Sequence, residues 1–251
     1  MKINLNRSIS LPQRLIWQTR FLDDETKEIL SGLVRYVAIR LREKRSQLIY
    51  GHLAKHRRIK HYMHFHSERK LHFGAGSQHL QGFLNSDMLG QLPINIGRRL
   101  PFNDEEIDLI YTSHVVEHLP KENFKYFLRE CLRILKKGGA NIIATPSIEK
   151  LCSILYGKDS DKIDVLKSYF STHFMKEEIF APCEYLNLIM KGFDHKYLYD
   201  FALIEHLAEK AGYRSVERIV NSDVPDEILK DHIMNHEAYW DLETETFLLV
   251  K

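Results

Sequence analysis

The pattern of apolar and polar positions changes character along the chain. Between residues 25 and 50, Ile29, Leu33, Val37 and Leu41, with Leu30, Val34 and Ala38 beside them, recur at three- and four-residue intervals. That spacing predicts one or two amphipathic helices. After residue 68 short apolar runs alternate with helical stretches, the pattern of a parallel sheet covered by helices. The predicted strands are residues 71–73, 83–86, 107–112, 140–145, 215–220 and 246–250. Between them, a helix over 122–135 places Phe124, Phe127, Leu128, Cys131, Leu132 and Leu135 on one face. Lys136-Lys137-Gly138-Gly139 then supplies cations and glycine at its C-terminal end. A second helix over 199–211, ending at Gly212, repeats the device.

Composition narrows the class. A chain of 251 residues with 44% hydrophobic content has material for a packed core. The longest apolar runs, such as Ile142-Ile143-Ala144 and Phe247-Leu248-Leu249-Val250, fall far below the roughly 18 residues that span a bilayer. The opening Met1-Lys2-Ile3-Asn4-Leu5-Asn6-Arg7 interleaves polar residues and lacks the apolar block of a secretory signal. Cys131, Cys152 and Cys183 have no paired spacing of a disulfide framework or zinc site. A reducing, cytoplasmic location is therefore expected.

Charge divides the chain further. From Arg35 to Lys60 nine basic residues face one acidic residue, Glu43, a local balance of +8 within an overall +2, so the rest of the chain sums to −6. Such a block attracts an anionic surface or nucleic acid, or simply solvates a helix face. His52, His56, His61, His64 and His66 follow it without a cysteine or carboxylate cluster to complete a metal-ligand pattern, and they read as a basic linker. Residues 1–60 are accordingly expected to be a basic helical extension, and residues 61–251 the functional domain.

The chemistry-bearing residues stand at the ends of the predicted strands. Leu71-His72-Phe73 runs directly into Gly74-Ala75-Gly76, where two glycines either let a ligand approach the backbone or form a tight turn. Phe83-Leu84-Asn85-Ser86 ends at Asp87, and a carboxylate there can accept hydrogen bonds from both hydroxyls of a ribose. An apolar loop, Leu100-Pro101-Phe102, and an acidic turn lead to a strand that emerges into Ser113-His114-Val115-Val116-Glu117-His118-Leu119.

In order and spacing, this series resembles the class I S-adenosylmethionine-dependent methyltransferases, particularly their type 11 small-molecule branch. The resemblance covers residues 70–150, and residues 194–220 look like the family's final helix and strand. It implies an α/β, Rossmann-like domain with a mostly parallel seven-stranded sheet and helices on both faces, following an N-terminal helical extension. It also implies S-adenosylmethionine as cofactor. Gly74, Ala75 and Gly76 would then approach its amino acid part, Asp87 its ribose, and Met88 its adenosine. Leu100, Pro101 and Phe102 would lie beside the adenine, with Ser113 and His114 near the sulfonium and the acceptor. One departure stands out: only residues 77–82 separate Gly76 from the second strand, too few for the usual crossover helix. The first crossover helix is expected to be shortened, which makes Gln78, His79 and Gln81 candidate cofactor-facing loop residues.

Methyl transfer requires an aligned acceptor and, where the acceptor carries a proton, a group to receive it. His114, His118 and His195 are the candidates, and each also fits as a histidine that only orders a loop. Glu117 reads as structural, and no residue is assigned to a metal. The acceptor is a small molecule such as a sugar, a lipid head group or another metabolite. Two other classes fit parts of the sequence. His114-Val115-Val116-Glu117-His118 matches the H-x-x-E-H pattern of a zinc metallopeptidase, although it directly follows a strand and lacks an obvious helix with a third ligand. A non-catalytic binding module on the same fold, docking through residues 35–60, is the other.

Overall fold

In the computed structural model, residues 51–90, 92–157, 181–220, 223–234 and 243–251 are described, with shorter stretches at 23, 34, 36–41, 162–165 and 168. The chain divides into two compact units, residues 1–49 and 50–251. In the first, residues 36–41 are helical, as the periodicity predicts. Ile29, Leu30 and Leu33 of the predicted N-terminal helices, and Arg35, Arg42, Lys44 and Arg45 of the basic block, lie outside the described residues.

The second unit begins with a helix where a linker is expected. Among the described side chains of α1 (His52–Phe65), Ile59 and Tyr62 turn fully inward, while Arg57, Arg58 and Lys60 are exposed. The Tyr62 hydroxyl accepts from Lys70 N–H at 2.7 Å and lies 2.8 Å from the carbonyls of Lys70 and Gly82. These contacts fasten α1 to the start of the sheet, within the compact unit that runs from residue 50 to residue 251.

Among the described residues six strands form one sheet in the order β2-β1-β3-β4-β6-β5. They are β1 (Lys70–Phe73), β2 (Phe83–Ser86), β3 (Ile107–Ser113), β4 (Leu135–Pro146), β5 (Ser215–Ile219) and β6 (Thr244–Val250). β1 to β4 are mutually parallel, and β6 runs antiparallel to both β4 and β5. The α/β class holds. Among the described residues the sheet has six strands where seven are expected; the described residues between Asp87 and Phe102 add no strand beside β2 and pack inward through Leu92, Ile94, Ile96 and Leu100. β4 also begins five residues earlier than predicted. Lys136–Gly139 belongs to an irregular start of the strand, with a register shift opposite Ile107 and Leu109. There Gly138 N–H donates to the Lys251 carbonyl and Lys251 N–H to that of Gly139.

Two apolar layers cover the sheet. On one face α2 (Lys121–Ile134) and α5 (Phe201–Ala211), between which α3 (Ile148–Tyr156) and α4 (Pro182–Gly192) fall in the chain, bury Phe124, Phe127, Leu128, Cys131, Ile204 and Leu207 against Phe73, Ile110 and Phe247. The other face carries Phe83, Tyr111 and Ile142 and is covered by Leu80 and by Leu229 and Ile233 of α6 (Glu227–Met234). No helix joins β1 to β2, as the short spacing predicts. Asn85 holds the crossover instead: its side chain accepts from Leu80 N–H at 2.9 Å and donates to the Leu80 carbonyl at 2.8 Å. α6 thus covers part of the face that a crossover helix would occupy, and Lys70 anchors it through Asp226 at 2.8 Å.

Candidate active site

In an open parallel sheet, ligands gather beyond the carboxyl ends of the strands, and β1, β2 and β3 all deliver chemistry there. After β1, Gly74 and Gly76 have φ of +75° and +49°, in the left-handed region that disfavours a side chain. The reasons for glycine differ. A Cβ on Gly74 would meet Val115 Cγ2 at 2.1 Å, so Gly74 lets the turn after β3 pack against the loop after β1. A Cβ on Gly76 would have nothing within 4 Å, so the backbone there faces open space. Ala75 is buried, and its N–H donates to the Ser86 carbonyl at 3.0 Å.

Asp87 closes this loop. Its Oδ2 accepts from Gly76 N–H at 3.1 Å and its Oδ1 from Leu89 N–H at 2.8 Å. Asp87 thus caps the turn that includes Met88 and also holds the glycine loop. A carboxylate offers about four acceptor positions, so two bonds leave capacity for a ligand.

The Leu100-Pro101-Phe102 loop has a support that the sequence reading overlooked. Glu130 Oε2 on α2 accepts from Leu100 N–H at 2.7 Å. Arg133, one turn on, pairs with both Glu130 oxygens at 3.0 and 2.7 Å and donates to the carbonyls of Phe102 at 2.9 Å and Leu100 at 3.2 Å. Asp104 at 2.7 Å completes the clamp. Hydrogen bonding to Arg133 outweighs burial and holds the Glu130 carboxyl below its ordinary value. Leu100 and Phe102 point into the main core, at 1% and 5% exposure, which leaves the partly exposed Pro101 and the backbone as ligand-facing parts of this loop. The i, i+3 spacing of Glu130 and Arg133 was the available signal.

The turn after β3 converges on one buried carboxylate. Glu117 is fully buried; its Oε2 accepts from Thr145 Oγ1 at 3.1 Å, and its Oε1 lies 3.2 Å from His114 Nδ1 and 4.0 Å from His195 Nε2 without completing a well-formed hydrogen bond. Burial pulls this carboxyl up, but His114 and then His118 outweigh it and hold it below its ordinary value. His114, at φ +50°, also contacts Thr244 Oγ1 through Nε2 at 3.0 Å. His118 is exposed and stands edge-on to His195, ring centroids 4.8 Å apart. Burial pushes the His195 imidazole down to about 4 against the pull of Glu117, so it stands neutral near pH 7. Glu243 completes the surroundings, its carboxyl pushed up to about 7 by burial, with His114 opposing and Glu117 reinforcing the shift.

All three candidate bases, His114, His118 and His195, are thereby brought around Glu117. Ser113 ends β3 beside them. The zinc metallopeptidase pattern is not supported: only Val116–His118 forms a short 3-10 turn and His114 is left-handed, so His114 and His118 are not neighbours on an α-helix. Glu243 and Thr244 were not anticipated, since they reach the site through the antiparallel return of β6 and no short-range spacing reports it. A separate cavity of about 540 Å³, lined by Arg57, Arg58, His61, His66, Leu84 and Leu92, lies against the middle of edge strand β2 instead of the strand ends.

Residues 90–143, spanning the Leu100 loop, β3, α2 and the first part of β4, match the methyltransferase domain family of type 11. No curated protein sequence matches the chain. Among solved structures, a SAM-dependent methyltransferase from Archaeoglobus fulgidus is 16% identical, with 79% of this chain and 93% of that one covered at a TM-score of 0.45. The YcgJ protein from Bacillus subtilis is 15% identical, with 76% and 98% covered at 0.43. A phosphoethanolamine N-methyltransferase from Haemonchus contortus, in complex with phosphomonomethylethanolamine and S-adenosylhomocysteine, is 13% identical, with 74% and 49% covered at 0.41. Among the described residues, no helix is long and apolar enough to cross a membrane.

Proposed function

We propose that this chain, which carries a methyltransferase domain segment, binds S-adenosylmethionine across the carboxyl ends of β1, β2 and β3 and methylates a small-molecule acceptor beside His114. The observation that carries the reading is the Gly76–Asp87 bond at 3.1 Å beneath the open space over Gly76. It pairs an uncrowded backbone with an acceptor-only carboxylate, the combination a ribose and its adjoining chain require. Gly76 and Asp87 hold the cofactor in this reading, Ala75 and Met88 flank it, Pro101 borders the adenine, and Gly74 admits Val115.

The bound cofactor supplies a methyl group on a sulfonium. The chain's own residues align the acceptor and handle its proton. His114 is the first candidate to receive that proton: Glu117 fixes its ring through Nδ1, and Nε2, whose contact is the Thr244 hydroxyl, would receive the proton where the acceptor takes that hydroxyl's place. His195, already neutral and buried, is a weaker base. The exposed residues Arg57, Arg58 and Lys60 are part of the basic stretch that would meet an anionic surface. Incubation of the purified chain with S-adenosylmethionine and a metabolite extract, read by mass spectrometry, tests the function. The expected result is one compound gaining about 14 Da. Cofactor binding with no methylated product would instead identify a binding module.

A further inference from the structure

We propose that Glu117, His118 and His195 form a binding site for one divalent cation of the zinc class. One ligand atom from each lies within 4.8 Å of the other two, although His195 comes from a distant part of the chain. Two imidazoles and a carboxylate are a donor set that such cations favour, and three protein ligands leave a position open. Around a tetrahedral cation with bonds of about 2.1 Å, neighbouring ligand atoms stand roughly 3.4 Å apart. The cluster therefore has to draw in by little more than an ångström, and His118, which is exposed and meets His195 edge-on, is the ligand placed to move.

A second observation points the same way. Glu117 Oε1 is buried in the midst of three imidazoles, and its nearest partner, His114 Nδ1 at 3.2 Å, is not aligned for a full hydrogen bond, so a cation would complete the satisfaction of this carboxylate oxygen. Its 4.0 Å separation from His195 Nε2 is too long for a hydrogen bond and suits two atoms sharing an ion. The outer contacts are those that orient metal ligands. Thr145 holds the other carboxylate oxygen at 3.1 Å, and Phe193 stacks on the His195 ring at 5.5 Å. The exposed side of His118 gives an entry path.

The site also narrows the acceptor, a step that rests on the methyltransferase reading. With the open position turned to a hydroxyl-bearing small molecule, the cation acts as a Lewis acid on its oxygen. The O–H bond breaks and the proton passes to His114. The oxygen lone pair forms the new bond to the methyl carbon, and the carbon–sulfur bond breaks with its electrons remaining on sulfur.

The test uses the full chain, stripped with chelator and titrated with Co²⁺ by visible absorption and with Zn²⁺ by calorimetry. One equivalent of each should bind. His118→Ala, His195→Ala and Glu117→Gln should each weaken binding by at least about tenfold, since even outer-contact changes cost 10–100-fold, while the exposed His206→Gln should bind as the unaltered chain does. Circular dichroism checks folding, and exposed His118 keeps the test valid if the Glu117 variant unfolds. No binding, or binding unchanged by His118→Ala and His195→Ala, overturns the site. A parallel titration with S-adenosylmethionine alone separates the two readings. Cofactor binding without cation binding overturns only the cation site; cation binding without cofactor binding supports the site and removes the methyltransferase reading with its hydroxyl acceptor.

Discussion

Gly76 N–H donates to Asp87 Oδ2 across 3.1 Å, joining the loop after β1 to the end of β2. No helix lies between these strands to order that loop from behind. The carboxylate therefore acts on the backbone as well as on any ligand, and this coupling makes the two glycines beside it separable by mutation.

Gly74→Ala should damage folding, and Gly76→Ala should damage binding. Alanine at Gly74 combines a left-handed φ with a contact at 2.1 Å to Val115, a loss of about 2–4 kcal/mol of stability. At Gly76 only the backbone strain applies, about 1–2 kcal/mol, but the new methyl group enters the open space proposed for the cofactor. Denaturant melts alongside cofactor titrations check the contrast. Equal stability losses with unchanged affinity in Gly76→Ala would place the cofactor elsewhere.

Arg133→Ala should loosen the Leu100 loop. It removes donors from two carbonyls and both oxygens of Glu130, and hydrogen bonds to charged groups contribute about 1.5–3 kcal/mol each in favourable settings. A net loss of about 2 kcal/mol is expected, with faster amide exchange at Leu100 and weaker cofactor binding. Exchange at Leu100 that does not change would show that Glu130 alone holds the loop.

Acid should destabilise the domain through His72. This residue is buried against Asn85 and Tyr111 with His232 and His79 nearby, and burial first, opposed by Asn85, pushes its imidazole down to about 4. A histidine held neutral by folding contributes its full stability above its unfolded value near 6.5, and that contribution is lost as pH falls through about 4. The loss should approach about 3 kcal/mol across that window. His72→Gln, measured by denaturation from pH 7 to 4, should show a shallower slope; an identical slope would assign the effect to other groups.

β1, β2 and β3 were legible because each is a short, mainly apolar run closed by glycine, an acidic residue or a polar turn, and the α2 face followed from its apolar periodicity. α1 was not legible as a helix, since a basic, histidine-rich stretch that buries little beyond Ile59 and Tyr62 has no apolar stripe to announce it. The motif His114–His118 was visible, but its meeting with His195, Glu243 and Thr244 depends on tertiary packing that no local period encodes.

The place of α1 in the second compact unit gives a further prediction. A chain shortened to residues 50–251 should fold as the compact unit it is. Shortening to 61–251 removes Ile59 and most of α1 and should cost at least about 2 kcal/mol, from the lost burial of one large apolar side chain. Equal melting temperatures for the two would contradict the role of α1.

Calorimetric titration of S-adenosylmethionine into the full chain and into Asp87→Ala is the most direct test of the proposed site. The unaltered chain should bind one equivalent. Asp87→Ala should bind roughly ten- to a hundredfold more weakly, at about 1.4 kcal/mol per factor of ten, while remaining folded. Its melting temperature should fall modestly, because the Gly76 and Leu89 N–H groups are exposed and water replaces the lost acceptor. No binding by the unaltered chain, or unchanged affinity in a folded Asp87→Ala, would contradict a cofactor site at the ends of β1 and β2.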